Sequence, residues 1–164
     1  MRIIGIDPGY AIVGFGVLDY EGNKFSLVEY GAITTEAHTD FGERLGTIYD
    51  DLIYLIDKYK PQQMAIEQLF FTTNQKTAMA VAQARGVILL CAQQKGISVA
   101  EYTPLQVKQA VVGYGKAEKS QVQDMTKRIL SLNGIPKPDD AADALAIAIC
   151  HGHVGLSRLN MYKN

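Results

Sequence analysis

Four carboxylates stand at positions where carboxylates are uncommon. Asp7 closes the apolar run Ile3-Ile4-Gly5-Ile6, and Glu67 closes Met64-Ala65-Ile66. Both runs read as short strands, and acidic residues are depleted in strands and seldom buried without a partner. Asp140 and Asp143 lie three apart at the start of the alanine-rich stretch DDAADALAIAIC, which puts them on one helix face. Each has an ordinary explanation alone: Asp7-Pro8-Gly9 is a common turn, and acids in a first helical turn suit the helix dipole. Together they imply a site. If the two strands are neighbours, Asp7 and Glu67 converge at one sheet edge, and the helix can bring two more acids. Close, unpaired carboxylates raise one another's pKa, and no Arg neighbours any of them in sequence. A divalent cation would relieve the repulsion, and an all-oxygen donor set suits Mg²⁺ or Mn²⁺. Two such ions could activate a water and stabilise the leaving oxygen in phosphodiester hydrolysis.

The elements that must position these acids follow from apolar periodicity. Residues 1–19 read as two strands joined at Asp7-Pro8-Gly9, the second interrupted by Gly14 and Gly16. Residues 24–35 alternate as a third strand, after the turn Glu21-Gly22-Asn23, so strands one to three form an antiparallel meander. Residues 41–59 carry Leu45, Ile48, Leu52, Leu55 and Ile56 at helical spacing, with Thr39 or Asp40 available as the cap. Residues 63–67 form a fourth strand and 97–102 a fifth. Between them, 74–95 is a long helix, apolar nearly all round in part, which suits either a subunit interface or a buried central helix. Gly96 marks its end. Helices over 104–112 and 119–130 flank Gly113-Tyr114-Gly115, and a last helix covers 139–150. The pattern predicts an α/β fold with a mixed sheet, strands one, four and five parallel and helices on both faces.

At 164 residues the chain reads as one domain over 1–151 with a loose tail over 152–164. No apolar run is long enough to cross a membrane, no signal-peptide pattern opens the chain, and the isolated Cys91 and Cys150 suit a reducing, cytoplasmic setting. Charge is uneven: residues 1–67 hold 5 Lys+Arg against 11 Asp+Glu, and residues 68–137 hold 9 against 3. An acidic pocket beside an anion-welcoming surface fits that split. Lys108, Lys116 and Lys119 flank the Gly-Tyr-Gly loop near a helix start, where phosphate contact is plausible chemistry; Lys116 reads best as a solvated surface lysine. Phe70 and Phe71 follow Glu67 in a polar loop, where one ring could stack on an unpaired base and the other staple the next helix. His151 and His153 follow the last helix and read as surface or capping residues rather than metal ligands.

The blocks IGIDPG at 4–9, AIEQ with Leu69-Phe70, QARG at 83–86, QVKQ with 110–113, AEKSQVQ at 117–123 and DAADALAIAI at 140–149 stand in an order that resembles the RuvC family of bacterial Holliday-junction resolvases. The resemblance runs through nearly the whole chain. It implies an RNase H-like fold, a homodimer, and paired nicks in two like-polarity strands of four-way junction DNA. It places the metal-binding acids on Asp7, Glu67, Asp140 and Asp143, with two Mg²⁺ ions per subunit or Mn²⁺ in their place. It places the junction-contacting aromatic on Phe70 and the phosphate-contacting lysines on Lys108 and Lys119. It also implies cooperation with a branch-migration complex. Three rival readings are weaker. An actin-like ATPase or sugar kinase needs a second phosphate hairpin, which is not found. A non-catalytic junction binder needs no intact acid set. A monomeric RNase H-like nuclease leaves the apolar helix at 74–95 unexplained.

Overall fold

The computed structural model describes residues 1–69 and 75–161, with side chains described through residue 155. The chain runs β1 (Arg2–Asp7), β2 (Ile12–Glu21), β3 (Lys24–Thr34), α1 (Phe41–Tyr59), β4 (Gln63–Glu67), α2 (Gln75–Gln94), β5 (Ser98–Tyr102), α3 (Pro104–Val112), α4 (Lys119–Ile129) and α5 (Asp139–Met161). The five strands form one sheet in the order β3-β2-β1-β4-β5. β1 pairs antiparallel with β2, which pairs antiparallel with β3, and β1, β4 and β5 run parallel. This is the expected mixed sheet of an RNase H-like fold.

Strand alternation sorts the side chains into two cores. Ile4, Ile6, Val13, Phe15, Val17, Met64 and Ile66 face α1 and α2 on one side of the sheet. Ile3, Leu18, Tyr20 and Ala65 face α3, α4 and α5 on the other. The second face is lined with small residues along the path of α5. A side-chain carbon added at Gly5 would run into the Ala144 carbonyl, and one added at Gly14 would run into the Asp140 carbonyl. Their absence lets α5 lie directly on β1 and β2, with Ala141, Ala144, Leu145 and Ala148 fully buried. The glycines that interrupt strand two in the sequence are thus where the last helix lands.

Helix ends follow their local chemistry. Asp40, not Thr39, caps α1 by accepting from the Gly42 N–H at 2.8 Å, and Lys60 closes that helix in a left-handed conformation. Thr103 and Gln106 form a reciprocal capping box on α3. Gly96, with φ of +67°, follows α2 as expected.

Three readings from the sequence change. α2 is not a central helix: Ala84, Ile88, Cys91 and Ala92 are buried, while Met79 is 63% and Leu90 50% exposed. α5 does not stop at Cys150 but continues to Met161. His151 and Gly152 keep it docked: His151 is hydrogen-bonded inside the core, and Gly152 leaves room for the rings of Phe25 and Tyr20. His151 is therefore buried rather than a surface residue. Its ring nitrogens lie 2.7 Å from the Tyr102 hydroxyl and 2.6 Å from Gln63 Oε1, and burial lowers its pKa. His153 is exposed, with Nδ1 3.0 Å from the Ala110 carbonyl. Both cysteines are buried and free, their thiol pKa values pushed up by burial to about 11 for Cys91 and about 12 for Cys150.

Candidate active site

The site grows out of the alternation that sorts the cores. In β1 the residues facing α5 are Ile3, Gly5 and then Asp7; in β4 they are Gln63, Ala65 and then Glu67. The parallel register sets Ile6 beside Ile66, so Asp7 and Glu67 emerge side by side at the carboxyl ends of adjacent strands. In open α/β sheets that end of the strands is where ligands bind. Asp7 also pairs with Gly14 of β2. Because Gly14 admits the Asp140 backbone, the first turns of α5 settle directly over Asp7. Asp140 and Asp143 are the half-buried residues of an otherwise buried stretch of α5.

The loop after Asp7 is held from outside. The Thr35 hydroxyl donates to the Tyr10 carbonyl at 2.6 Å, Thr35 N–H donates to the Ala11 carbonyl at 3.0 Å, and Arg44 Nε donates to Thr35 Oγ1 at 2.8 Å. The Arg44 guanidinium lies over the Tyr10 ring, 4.9 Å from its centroid.

Electrostatics report the crowding. The Asp7 carboxyl is pushed up from 3.8 to about 8, first by burial and then by Glu67, Asp143 and Asp140. Glu67 is raised by burial and by Asp143. Glu67, Asp143 and Asp140 thus all act on Asp7, and Asp143 acts on Glu67 as well. Lys119 offsets part of the repulsion. Its Nζ donates to Asp143 Oδ2 at 2.9 Å, and its own pKa is raised by that bond and by Asp143, Asp139 and Asp7. The two partners are 24 residues apart, so nothing in the local sequence announces the pair.

Beside the acids a cleft of about 270 Å³ is lined by Glu67, Lys108, Lys119 and Asp143 over an apolar floor of Val107, Val122, Ala146 and Ile147. Lys108 and Lys119, expected from the sequence as phosphate contacts, thus line the same cleft as Glu67 and Asp143. Phe70 and Phe71 lie outside the described residues. Among the described residues, no three His, Cys, Asp or Glu side chains are already drawn in around one point. The carboxylates are close enough to perturb one another yet spread, and Asp143 is turned to Lys119. The donor set fits a hard divalent cation all the same: carboxylate oxygens only, from half-buried acids that are short of counter-charge. His151 points into the core and is no part of the set.

The profile of the family described as "Crossover junction endodeoxyribonuclease RuvC" matches residues 3–151. The crossover junction endodeoxyribonuclease RuvC of Ruminiclostridium cellulolyticum is 60% identical over 153 residues, covering 93% of this chain and 92% of the relative. That of Fusobacterium nucleatum is 57% identical over 151 residues, covering 92% and 80%. The structure of Thermus thermophilus RuvC in complex with Holliday junction substrate superposes with a TM-score of 0.92 at 35% identity, covering 96% of each chain. Yeast mitochondrial Holliday junction resolvase Ydc2 shares the fold, with a TM-score of 0.66 at 14% identity over 98% of this chain and 83% of that one. On the profile, the extent of identity and the fold, the chain belongs to the RuvC family of crossover junction endodeoxyribonucleases.

Proposed function

We propose that this chain resolves four-way DNA junctions by metal-dependent phosphodiester hydrolysis, with Asp7, Glu67, Asp140 and Asp143 as the catalytic and metal-holding residues. The observation that carries the reading is the convergence of these acids at the ends of β1 and β4, with Asp7 raised to about 8. A half-buried acid among like charges is stabilised by a divalent cation, and substrate phosphates share that need. Two Mg²⁺ ions, or Mn²⁺ in their place, would supply an activated water and charge stabilisation at the leaving oxygen. The chain's own residues do the rest. Asp7 and Glu67, fixed on adjacent strands, give two of the acids a rigid separation. Asp140 and Asp143 ride on a helix locked to the same strands. Lys108 and Lys119 hold backbone phosphates over the cleft, which orients the strand toward the acids. Phe70 completes the substrate contacts.

The active unit is a homodimer. Two cuts related by two-fold symmetry need two sites with that symmetry, and the exposed stripe Met79, Ala82, Gln83, Gly86 and Leu90 of α2 supplies an apolar seam. The nuclease domain works in the cytoplasm and cooperates with a branch-migration complex. No helix among the described residues is long and apolar enough to cross a membrane.

The test is incubation of purified protein and Mg²⁺ with a synthetic four-way junction, beside duplex and RNA–DNA hybrid controls. Paired nicks confined to the junction are expected. Asp7→Asn, Glu67→Gln, Asp140→Asn and Asp143→Asn should each abolish or severely reduce cleavage while sparing junction binding in Ca²⁺. Wild-type cleavage by any of the first three variants would sink the assignment.

A further inference from the structure

Beyond the acids and the cleft lysines, the surface beside the cleft carries two large apolar side chains, Leu105 at 54% and Tyr114 at 46% exposure. They adjoin. Gly113 ends α3 in a left-handed conformation, its N–H donating to the Gln109 carbonyl, and turns the chain back over the helix. A side-chain carbon on Gly115 would strike Leu105, so the loop closes directly on that residue. Ala117, fully buried and donating to the Tyr114 carbonyl at 3.4 Å, pins the far end. Tyr114 is thus presented by a loop anchored at both ends.

The patch is continuous with the cleft. Pro104, Val107 and Lys108 of α3 line the cleft; Leu105 and Gln109 occupy the adjoining face of the same short helix. Lys108 lies one turn from Leu105, Lys116 follows Gly115 and is exposed, and Lys119 opens α4. Apolar and aromatic area set between cations, on a rigid support, matches a nucleic-acid strand: cations for phosphates, and a ring for the sugar or base between them. Resting on the junction-cutting reading above, we infer that Tyr114 and Leu105 form an additional strand-binding platform. There the DNA strand leaving the active-site cleft packs its sugar–base face on the Tyr114 ring, with Lys116 on the adjacent phosphate. This reassigns Lys116 from solvated surface lysine to phosphate contact.

The test measures junction affinity in Ca²⁺ across a salt series for wild type, Tyr114→Ala, Tyr114→Phe, Leu105→Ser and Lys116→Ala, with Tyr54→Ala as a control. Tyr54 is another exposed tyrosine, on α1. An apolar packing contact releases no counterions, whereas a phosphate contact does. Tyr114→Ala should weaken binding about fivefold at every salt concentration, the low end of aromatic stacking, and leave the log–log salt slope unchanged. Tyr114→Phe should bind as wild type, Leu105→Ser should weaken binding less, and Lys116→Ala should lower the slope by about 1. Tyr54→Ala should change nothing. Unchanged affinity for Tyr114→Ala with a junction-binding wild type overturns the platform alone. Equal losses for Tyr114→Ala and Tyr54→Ala would overturn it too. A wild type that does not bind junctions overturns the platform together with the functional reading beneath it.

Discussion

Asp7→Asn should make the metal-free protein more stable at alkaline pH, although it abolishes cleavage. The Asp7 pKa is raised from 3.8 to about 8 in the fold, chiefly by burial and then by three neighbouring acids. A group with a raised folded pKa keeps its proton in the native state while the unfolded chain has lost it. Folding is therefore unaffected by this group below about pH 4 and is progressively weakened as pH rises to about 8. At 1.36 kcal/mol per pH unit the full penalty is on the order of 5 kcal/mol; water entry and side-chain movement would reduce this to about 2–5 kcal/mol. Asparagine has the same shape and carries no charge. In EDTA the variant should match wild type near pH 4 and exceed it near pH 8. With roughly 2–4 °C per kcal/mol for a domain of this size, the gap in Tm should be about 5–15 °C. Adding Mg²⁺ at pH 8 should raise the wild-type Tm and leave the variant nearly unmoved, because ligand binding to the native state stabilises it by mass action. Differential scanning calorimetry over pH 4–9 reads both effects. A variant less stable than wild type in EDTA at pH 8 would refute the claim that Asp7 is held in an unfavourable carboxylate cluster.

The remaining predictions concern the same framework. Lys119→Gln frees Asp143 from its 2.9 Å bond and removes a positive charge facing the acids. Mn²⁺ affinity by calorimetry should rise about three- to tenfold, and the salt slope of junction binding should fall by about 1; weaker Mn²⁺ binding would refute the role as counter-charge. Gly14→Ala forces a methyl into the Asp140 backbone, so stability should fall by about 1–3 kcal/mol. Cleavage should fall further than the folded fraction does, as seen by comparing activity with circular dichroism. Ala82→Glu places a charge on the exposed stripe of α2. Monomer stability should stay within about 0.5 kcal/mol, while light scattering shows monomers and junction cleavage loses its pairing. A dimer that survives this change would move the seam elsewhere.

The acids were legible as a set rather than one by one. Each has an ordinary local explanation, a turn or a helix dipole, but four such acids in one short chain exceed what those explanations need. Strand alternation then predicts that Asp7 and Glu67 share a face. The strand directions were legible for a related reason: a short apolar strand on either side of a helix implies a parallel crossover, whereas the adjacency of β1 and β4 came from the structure. What escaped the sequence was tertiary. The Lys119–Asp143 bond joins two helices far apart in the chain. The length of α5 depended on Gly152 meeting the Phe25 and Tyr20 rings, whereas Gly in a sequence reads as a stop. His151 looked like a surface residue because its partners, Tyr102 and Gln63, belong to other elements. Gly5 and Gly14 showed only as weak points in strands, and their purpose emerges with the helix that lands on them.

One consequence of this architecture bears on how two cuts can be coordinated. α2 meets the sheet through Ala84, Ile88, Cys91 and Ala92, and its end is tied to α1 by two polar contacts. The Tyr49 hydroxyl donates to Gln94 Oε1 at 2.8 Å, and Lys95 Nζ pairs with Asp57 at 2.6 Å. Arg85, midway along α2, pairs with Glu101 of β5 at 2.7 Å. Glu101 directly precedes Tyr102, which lies in register with Glu67. The proposed seam is therefore referenced to the catalytic edge of the sheet by a helix that is packed beneath and fastened at its middle and its end. In the proposed dimer, such an attachment would hold the two sites at a fixed separation, so the protein would set the spacing of the two cuts.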